Sequence, residues 1–141
     1  MHIQIINGPN LDLLGTREPE LYGTRSFPEY LRELQGVFPA HTITCAQSNH
    51  EGELIEALRK AGAGSDGVVL NAAGYSHTSV AIRDALALLK VPVVEVHISN
   101  IHAREEFRRH SLTGMHCAGV ITGLGLDGYR LAVDHLLRRL A

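Results

Sequence analysis

Short apolar runs alternate along the chain with longer segments whose apolar residues recur every three or four positions. The runs are typical of buried β-strands, and they predict five strands, at 2–6, 41–46, 67–70, 93–97 and 118–122. The longer segments have helical spacing, and they predict helices at 26–38, 51–61, 78–90, 103–110 and 126–140. The helix at 26–38 begins with Ser26, Pro28 and Glu29, which have the spacing of a capping box.

Regular alternation of strand and helix predicts the fold class. Such a pattern is typical of α/β proteins, in which a parallel sheet is covered by helices on both faces. Five strands with right-handed crossovers favour the flavodoxin-like, doubly wound order 2-1-3-4-5. The chain has 141 residues without repeats or linkers, so we expect a single domain spanning 1–141.

Composition narrows the functional classes. The net charge of −2 provides no basic surface for nucleic acid, and no apolar run approaches the roughly 20 residues that span a bilayer. The N-terminus begins a strand at once and lacks a signal-peptide layout, so we expect a cytoplasmic protein. None of the nine histidines forms an H-x-x-x-H or HExxH pattern, so the sequence predicts no metal site.

The segment after the first strand, NGPNLDLLGTREPELYG at 7–23, is much longer than the usual connection of roughly two to six residues. Its leucines argue against a solvated tail, and we interpret residues 10–24 as a lid loop. Arg17 and Tyr22 lie five positions apart in it. A guanidinium beside a phenol lowers its reference pKa of about 10, so this pair could form a tyrosinate base. The alternative, a surface arginine and a tyrosine packed on the loop, stays open.

Polar residues follow each of the first four strands. They are Asn7 and Asn10, Ser48 and Asn49, Asn71 and His77, and His97 and Ser99. Ligands of doubly wound sheets bind beyond the carboxyl ends of the strands, where the strand order reverses. The sequence therefore predicts a cleft at this edge of the sheet.

The fourth strand carries a candidate acid. Glu95 precedes His97 by two residues, on the same side of the strand, so its carboxylate can set the charge and tautomer of the imidazole. The backbone N–H groups of Ile98 and Ser99, which follow, are positioned to bind an anionic group. A core histidine beside a surface glutamate is the alternative.

Several common chemistries are excluded. The GLGLDG sequence at 123–128 follows the last strand, which is the wrong place for a dinucleotide-binding motif, and we expect a tight strand-to-helix turn there. The chain has no Walker A sequence. Its two lysines, Lys60 and Lys90, lie at predicted helix ends away from the cleft, so a Schiff-base mechanism lacks its nucleophile.

Four long motifs resemble a known family. NGPNLDLLGTREPELYG, QSNHEGELIEAL, NAAGYSHTSVAIRDAL and VPVVEVHISNIHAREEFRRHS look like the successive motifs of type II 3-dehydroquinate dehydratase, in order and spacing, over nearly the whole chain. The resemblance implies conversion of 3-dehydroquinate to 3-dehydroshikimate and water in the shikimate pathway, by anti elimination through an enolate, without metal or cofactor. A non-catalytic flavodoxin-like domain that only binds such an acid is the rival interpretation.

The resemblance also implies roles for individual residues. Tyr22 is similar to the family's base and Arg17 to the arginine that keeps that base ionised. Asn10 resembles the residue that positions a water against the enolate oxygen. His97 matches the general acid for the departing hydroxyl, and Glu95 matches the residue that orients it.

Further positions match substrate-binding residues of the family. Asn71, His77 and Arg108 match residues that hold the ring hydroxyls, and the backbone of Ile98 and Ser99 matches the clasp on the substrate carboxylate.

Other matches concern the lid and the assembly. Arg104 falls where the family has a lid-contacting arginine, and Asp84 matches a residue that a neighbouring subunit supplies in a dodecamer of four trimers. The helix at 78–90 is apolar on nearly all sides, which favours such an interface. Ala73 and Gly74 depart from the expected family pattern, and we expect Gly74 to loosen the loop that carries Tyr75 and His77.

Overall fold

The computed structural model describes residues 1–16, 19–22 and 24–141, and the side chains of Leu21 and Tyr22 lie outside the described region. Five parallel strands form one sheet in the order β2-β1-β3-β4-β5. They are β1 (His2–Asn7), β2 (Thr42–Gln47), β3 (Gly67–Asn71), β4 (Val93–His97) and β5 (Gly119–Thr122). The predicted flavodoxin-like order is confirmed.

Helices cover the sheet on both faces. They are α1 (Pro19–Tyr22), α2 (Phe27–Val37), α3 (Glu51–Gly64), α4 (Val80–Ala87) and α5 (Asp127–Leu140). Short 3-10 turns connect several elements, at Leu11–Leu13, Ala73–His77, Ile101–Ala103, Glu106–Arg109 and Gly114–His116. Within the described ranges, no helix is long and apolar enough to cross a membrane.

Two apolar clusters fill the space between the sheet and its helices. One face of the sheet packs Ile3 and Val96 against α2 and α5, and the other packs Leu70 against α3 and α4. The start of α2 has the predicted capping box, in which the Ser26 hydroxyl accepts from the Glu29 N–H and the Glu29 carboxylate accepts from the Ser26 N–H. Capping satisfies backbone N–H groups that a helix start leaves unpaired.

Three predicted helices differ in extent from the elements of the structure. The helix predicted at 78–90 is only α4, because Ser79 caps its start and the backbone tightens at Leu88, whose N–H bonds to Ala85 and Leu86. The helix predicted over 51–61, with Gly62 and Gly64 expected to end it, runs to Gly64. A Cβ at Gly62 would meet the Leu89 side chain at 2.7 Å.

The third difference concerns the segment 103–110, where the prediction of one helix was wrong. Two 3-10 turns replace that helix, and the backbone at Arg104 between them is extended. The extended residue changes the chain direction, which a continuous helix would not do. As a result, Arg104 and Arg108 both face the carboxyl edge of the sheet.

The strand order reverses between β1 and β3, and their ends are tightly joined there. Asn7 pairs with Asn71 in the ladder, and the Gly8 N–H donates to the Asn71 carbonyl at 2.7 Å. A Cβ at Gly8 would lie 2.6 Å from the Ala72 carbonyl oxygen, so only glycine permits this approach.

At the other end of the chain, Gly123 and Gly125 have positive φ angles of 86° and 61° between β5 and α5. These glycines form the strand-to-helix turn that the sequence predicted.

Candidate active site

A cavity of about 170 Å³ opens at the carboxyl ends of β1, β3 and β4. A single buried water needs only roughly 10–15 Å³, so the space suits a small organic molecule. The lining residues are Pro9, Asn10, Leu11, Leu13, Leu14, Asn71, Ala73, Gly74, His77, His97, Ile98, Ser99, Ile101, Arg104 and Arg108. Seven of the predicted site residues and Arg104 are therefore brought together at the predicted edge of the sheet.

The predicted contact between His97 and Glu95 is formed at the end of β4. The Nε2–H group of His97 donates to Oε2 of Glu95 at 2.9 Å. The Glu95 side chain is fully buried behind His97, and the His97 side chain is 5% exposed. This bond fixes the proton on Nε2 when the ring is neutral, which leaves Nδ1 as the acceptor nitrogen of the neutral ring.

Two hydroxyl residues that the sequence pattern did not single out hold the carboxylate of Glu95. Ser111 donates to Oε2 at 2.7 Å, and Thr113 donates to Oε1. Thr113 is itself fully buried. No periodic pattern in the sequence marks these two residues. Their position soon after the arginine-rich segment is the one feature that could have indicated a place near the site.

Burial alone raises the pKa of the Glu95 carboxyl. Its hydrogen bond with His97 and the charge of that ring lower it, and the bonds from Thr113 and Ser111 lower it further. The net effect holds the pKa of Glu95 below its ordinary value. Glu95 is thus a buried carboxylate that accepts hydrogen bonds from His97, Ser111 and Thr113.

His77 lies beside His97 with its ring stacked at 6.0 Å between centroids. Its Nδ1 bonds to the carbonyl oxygen of His110 at 2.8 Å, so Nδ1 is the donor and Nε2 the acceptor in the neutral ring. Burial lowers the pKa of His77, and the nearby charges of His97 and Arg108 lower it further. His77 therefore faces the cavity as a neutral imidazole.

The turn after β4 is held by bonds to neighbouring loops. The carbonyl oxygen of Ile98 accepts from the Gly125 N–H at 3.0 Å, and that of Ser99 accepts from the Thr122 hydroxyl at 3.1 Å. The same hydroxyl accepts from the Ile101 N–H. These contacts give Ile98 and Ser99 a fixed backbone at the cavity wall.

Two partly buried arginines supply positive charge on one side of the cavity. Arg104 donates to the Ser99 hydroxyl at 3.2 Å. Arg108 pairs with Glu105 at 2.8 Å and lies over the ring of Phe107, with 5.1 Å to the centroid. Guanidinium groups favour an acidic or polyhydroxy ligand here.

Asn10, at the start of the predicted lid, has a left-handed backbone with a φ of 68°. Its N–H donates to Oδ1 of Asn49 at 3.0 Å, and Gln47 donates to the same oxygen at 3.2 Å. The Tyr75 hydroxyl donates to the Asn49 carbonyl at 3.0 Å. Asn49 thus connects Asn10 to the loop after β3. The sequence predicted only that Asn49 lies at the carboxyl edge of the sheet.

The loop after β3 contains the residues that depart from the family pattern. Ala73 has a φ of 53°, which L residues rarely adopt, and its N–H is bound by Oδ1 of Asn71 at 3.1 Å. The loop forms a 3-10 turn, and the Ser76 hydroxyl donates to the Ala73 carbonyl at 2.7 Å.

Besides Glu95, which is buried behind His97, three predicted site residues are not in the described cavity wall. Asp84 lies on the exposed side of α4, paired with Arg83 at 3.1 Å. Arg17 and the Tyr22 side chain lie outside the described residues, so the predicted tyrosinate pair stays a prediction.

A neutral histidine and a buried His–Glu pair face one polar cavity at the carboxyl end of a doubly wound sheet. This combination defines an α/β enzyme that acts on a small polar molecule by acid–base chemistry.

Comparison with known proteins agrees with this class. The family model of class II dehydroquinases matches residues 1–137. A 3-dehydroquinate dehydratase from an Exiguobacterium species is 53% identical over 138 residues, which cover 97% of this chain and 94% of that protein. The catabolic 3-dehydroquinase 2 of Aspergillus flavus is 50% identical over 141 residues, covering 98% of this chain and 93% of that protein.

A solved structure is similar over the same length. The type II dehydroquinase from Butyrivibrio crossotus matches with a TM-score of 0.91 and 46% identity, covering 97% of each chain. The chain belongs to the class II dehydroquinase family. It is therefore an enzyme of the lyase class, and the predicted family and fold are confirmed.

Proposed function

We propose that this chain converts 3-dehydroquinate to 3-dehydroshikimate and water, by anti elimination through an enolate, as a step of the shikimate pathway. The observation that carries the mechanism is the buried His97–Glu95 pair at the wall of a cavity that also presents His77 and Arg108. Family membership supports the reaction, and the cavity supports the assignment of its parts.

His97 acts as the general acid. The β-hydroxyl of the substrate leaves as water with a proton from His97, while the carbon–carbon double bond forms. Because the Nε2 proton is bound by Glu95, the transferred proton comes from Nδ1 of the imidazolium. The buried Glu95 carboxylate stabilises that imidazolium and fixes the plane of the ring.

Tyr22 acts as the base that removes the proton next to the ketone, and Arg17 keeps it ionised. Comparison with the other tyrosines supports this choice. Burial raises the pKa of Tyr30 to about 12, and it raises the pKa of Tyr129 further. Both hydroxyls donate to protein acceptors, as does that of Tyr75, and none of the three lines the cavity. Tyr22 is the tyrosine left for this task.

The remaining cavity residues bind the substrate. Asn71, His77 and Arg108 hold the ring hydroxyls, and the neutral His77 offers Nε2 as an acceptor. Their side chains converge on the cavity, which supports these roles.

The carboxylate and the enolate need separate partners. The backbone of Ile98 and Ser99 binds the carboxylate, beside Arg104, which contacts the lid. Asn10 positions a water against the enolate oxygen, whose developing charge needs a hydrogen-bond donor.

The chain works as a single catalytic domain with a lid at 10–24. A tyrosinate base and an imidazolium acid supply both proton transfers, so the elimination requires neither metal nor cofactor. We place the reaction in the cytoplasm, which is consistent with a biosynthetic enzyme.

The reaction is tested by following the ultraviolet absorbance of the conjugated enone product with 3-dehydroquinate as substrate. Wild-type protein should produce the enone. Tyr22→Phe should bind substrate but lose about 10²–10⁴-fold in kcat, because only the ionisable oxygen is removed. Binding without turnover by the wild type would instead identify a non-catalytic binding domain. Normal turnover by Tyr22→Phe would eliminate Tyr22 as the base.

We further propose a dodecamer of four trimers in which Asp84 reaches into the neighbouring subunit's cavity. The exposed side of α4 supports this, since Asp84 lies there beside Val80 and close to the strongly exposed Leu88. Exposed apolar side chains that cluster on one side of a helix mark an interaction surface, and Val80 and Leu88 are two such side chains.

Mixed oligomers test the shared site. Asp84→Ala and Tyr22→Phe should each be inactive alone, and refolding them together should restore some of the activity, because some interfaces then pair an intact Tyr22 with an intact Asp84. Mixed oligomers that form by mass measurement and stay inactive would show that Asp84 serves its own subunit.

A further inference from the structure

A buried tyrosine hydroxyl on α5 connects β1 to the cavity. The Tyr129 hydroxyl donates to Oδ1 of Asn7 at 2.8 Å and accepts from Nδ2 of Asn71 at 2.8 Å. Tyr129 is fully buried and Asn7 is 1% exposed, whereas Asn71 lies in the cavity wall. The three residues come from the first strand, the third strand and the last helix.

The direction of these bonds determines how the Asn71 amide faces. Since the hydroxyl proton of Tyr129 is given to Asn7, only the oxygen lone pairs are available to Asn71. Asn71 must therefore turn its NH₂ group toward Tyr129. Its Oδ1 then accepts from the Ala73 N–H at 3.1 Å. One N–H of Asn71 is left, and it is the hydrogen-bond donor that this side chain can offer to a ligand.

The hydroxyl keeps its proton at all working pH values. Burial raises the pKa of Tyr129 far above neutrality, so the direction of donation does not change with pH. Leaving the buried Asn7 oxygen without a partner would also be costly, and this opposes reversal of the chain of bonds.

We infer that Tyr129 is a positioning residue for substrate binding, which holds the Asn71 amide so that its remaining N–H donates to a ring hydroxyl of the substrate. The inference rests on the proposed function for its substrate. Tyr129 does not touch the substrate, because no atom of it lines the cavity. Its effect passes through Asn71, and through Asn71 to the left-handed Ala73.

The chain offers a matched control. Tyr30 is buried in the same aromatic cluster, with its ring 6.1 Å from that of Tyr129, and its hydroxyl donates to the Leu126 carbonyl at 2.6 Å. Tyr30→Phe removes a buried hydroxyl bond just as Tyr129→Phe does, but Tyr30 makes no bond to Asn71. A general loss of packing or stability would appear in both variants.

The kinetic test compares these two variants with 3-dehydroquinate. A neutral hydrogen bond that stabilises bound substrate and transition state equally changes KM and leaves kcat in place. Tyr129→Phe should therefore raise KM about 3- to 10-fold with kcat within about 2-fold, the range expected for one neutral hydrogen bond. Tyr30→Phe should keep the wild-type KM. Equal KM changes in both variants would overturn the inference.

A double-mutant cycle identifies the path of the effect. Asn71→Ala should raise KM by itself, and adding Tyr129→Phe to it should raise KM no further, because the amide that Tyr129 orients is gone. Multiplying effects would mean that Tyr129 acts on binding by another path, and the inference would be wrong. If Tyr129→Phe fails to fold, Asn7→Ala is the alternative variant. It removes the acceptor of the Tyr129 hydroxyl, and it should raise KM in the same way.

Hydrogen exchange tests whether Tyr129 positions Asn71 even if the protein does not turn over 3-dehydroquinate. The Ala73 N–H is protected by Asn71, so peptides covering 72–77 should exchange faster in Tyr129→Phe than in Tyr30→Phe, with each variant held equally far below its melting temperature. Equal exchange in the two variants would refute the positioning role. Absence of enone formation by the wild type would instead refute the proposed function, and the exchange result would still stand.

Discussion

His97 and Glu95 form a buried hydrogen bond of 2.9 Å between Nε2 and Oε2, at the carboxyl end of the strand that carries both residues. Residues two apart on a strand face the same side, so this contact follows from local geometry. The carboxylate is also held by Ser111 and Thr113 from a loop far along the chain. The His97–Glu95 pair thus depends on that loop as well as on its own strand.

Removing one of the hydroxyl groups that donate to Glu95 should lower both stability and activity. Thr113→Val keeps the side-chain shape and leaves Oε1 without its bond, so the free energy of unfolding should fall by about 1.5–3 kcal/mol and kcat should fall more than KM changes. Urea unfolding and steady-state kinetics measure both. Thr44→Val, which removes a strand hydroxyl bonded to Gln4 far from the cavity, is the control and should leave kcat unchanged. A kcat equally reduced by both substitutions would contradict the role of Thr113.

Loss of the guanidinium of Arg17 should change the pH dependence. If Arg17 lowers the pKa of Tyr22, Arg17→Ala should move the limb of the pH–kcat/KM profile that reports base ionisation to higher pH. Arg17→Lys should move it less, because a positive charge remains. A drop in activity with that limb unmoved would assign Arg17 to substrate binding instead.

The neutral His77 should make the fold sensitive to acid. Its folded pKa lies below the unfolded value of about 6.5, so its contribution to stability is complete above that pH and is lost as pH falls toward the folded pKa. His77→Asn retains a donor for the His110 carbonyl and removes the titration. Urea midpoints measured from pH 7 downward should therefore fall less steeply in His77→Asn, and an unchanged slope would refute this prediction.

Metal and imine chemistry can both be tested directly. We expect full activity after EDTA treatment and dialysis. Borohydride added with substrate should leave the mass of the protein unchanged, because neither Lys60 nor Lys90 is proposed to form an imine. A stable mass increase, or activity that returns only when a metal is added back, would overturn the proposed enolate mechanism.

We expect Gly74 to lower the free energy of unfolding, although the local structure does not require a glycine. A Cβ there meets nothing within 4 Å, and its φ is not positive. Gly74→Ala should therefore raise the free energy of unfolding by about 0.4–1 kcal/mol, mainly by restricting the unfolded chain. Gly123→Ala should lower it, since φ is 86° and a Cβ would lie 2.9 Å from Cβ of Asn100. Destabilisation by Gly74→Ala would indicate that the loop after β3 needs this glycine.

The sheet could be predicted because its signals are local. Each strand is a short apolar run, and the rule for parallel crossovers then favours the order that the structure has. The position of the cavity followed from the same order, since Asn71 and His97 end adjacent strands. Local helical spacing was less reliable. The charged segment at 103–110 suggested one helix, but the extended Arg104 interrupts it.

Contacts between distant regions of the chain could not be predicted from residue patterns. Thr113 is 18 residues from Glu95, and Tyr129 is 122 residues from Asn7. Tyr129 fits the apolar stripe of α5, and the helical pattern predicts only a packing role for its ring. Only the folded structure brings such partners within hydrogen-bonding distance.

The contact between Gly8 and Ala72 has an evolutionary consequence. The backbones at the ends of β1 and β3 approach so closely that even a methyl group at position 8 would meet the Ala72 carbonyl at 2.6 Å. Any larger residue must push apart strands that both lead into the cavity. Main-chain geometry therefore restricts which residues can replace Gly8 during evolution. This restriction does not depend on the substrate that the enzyme uses.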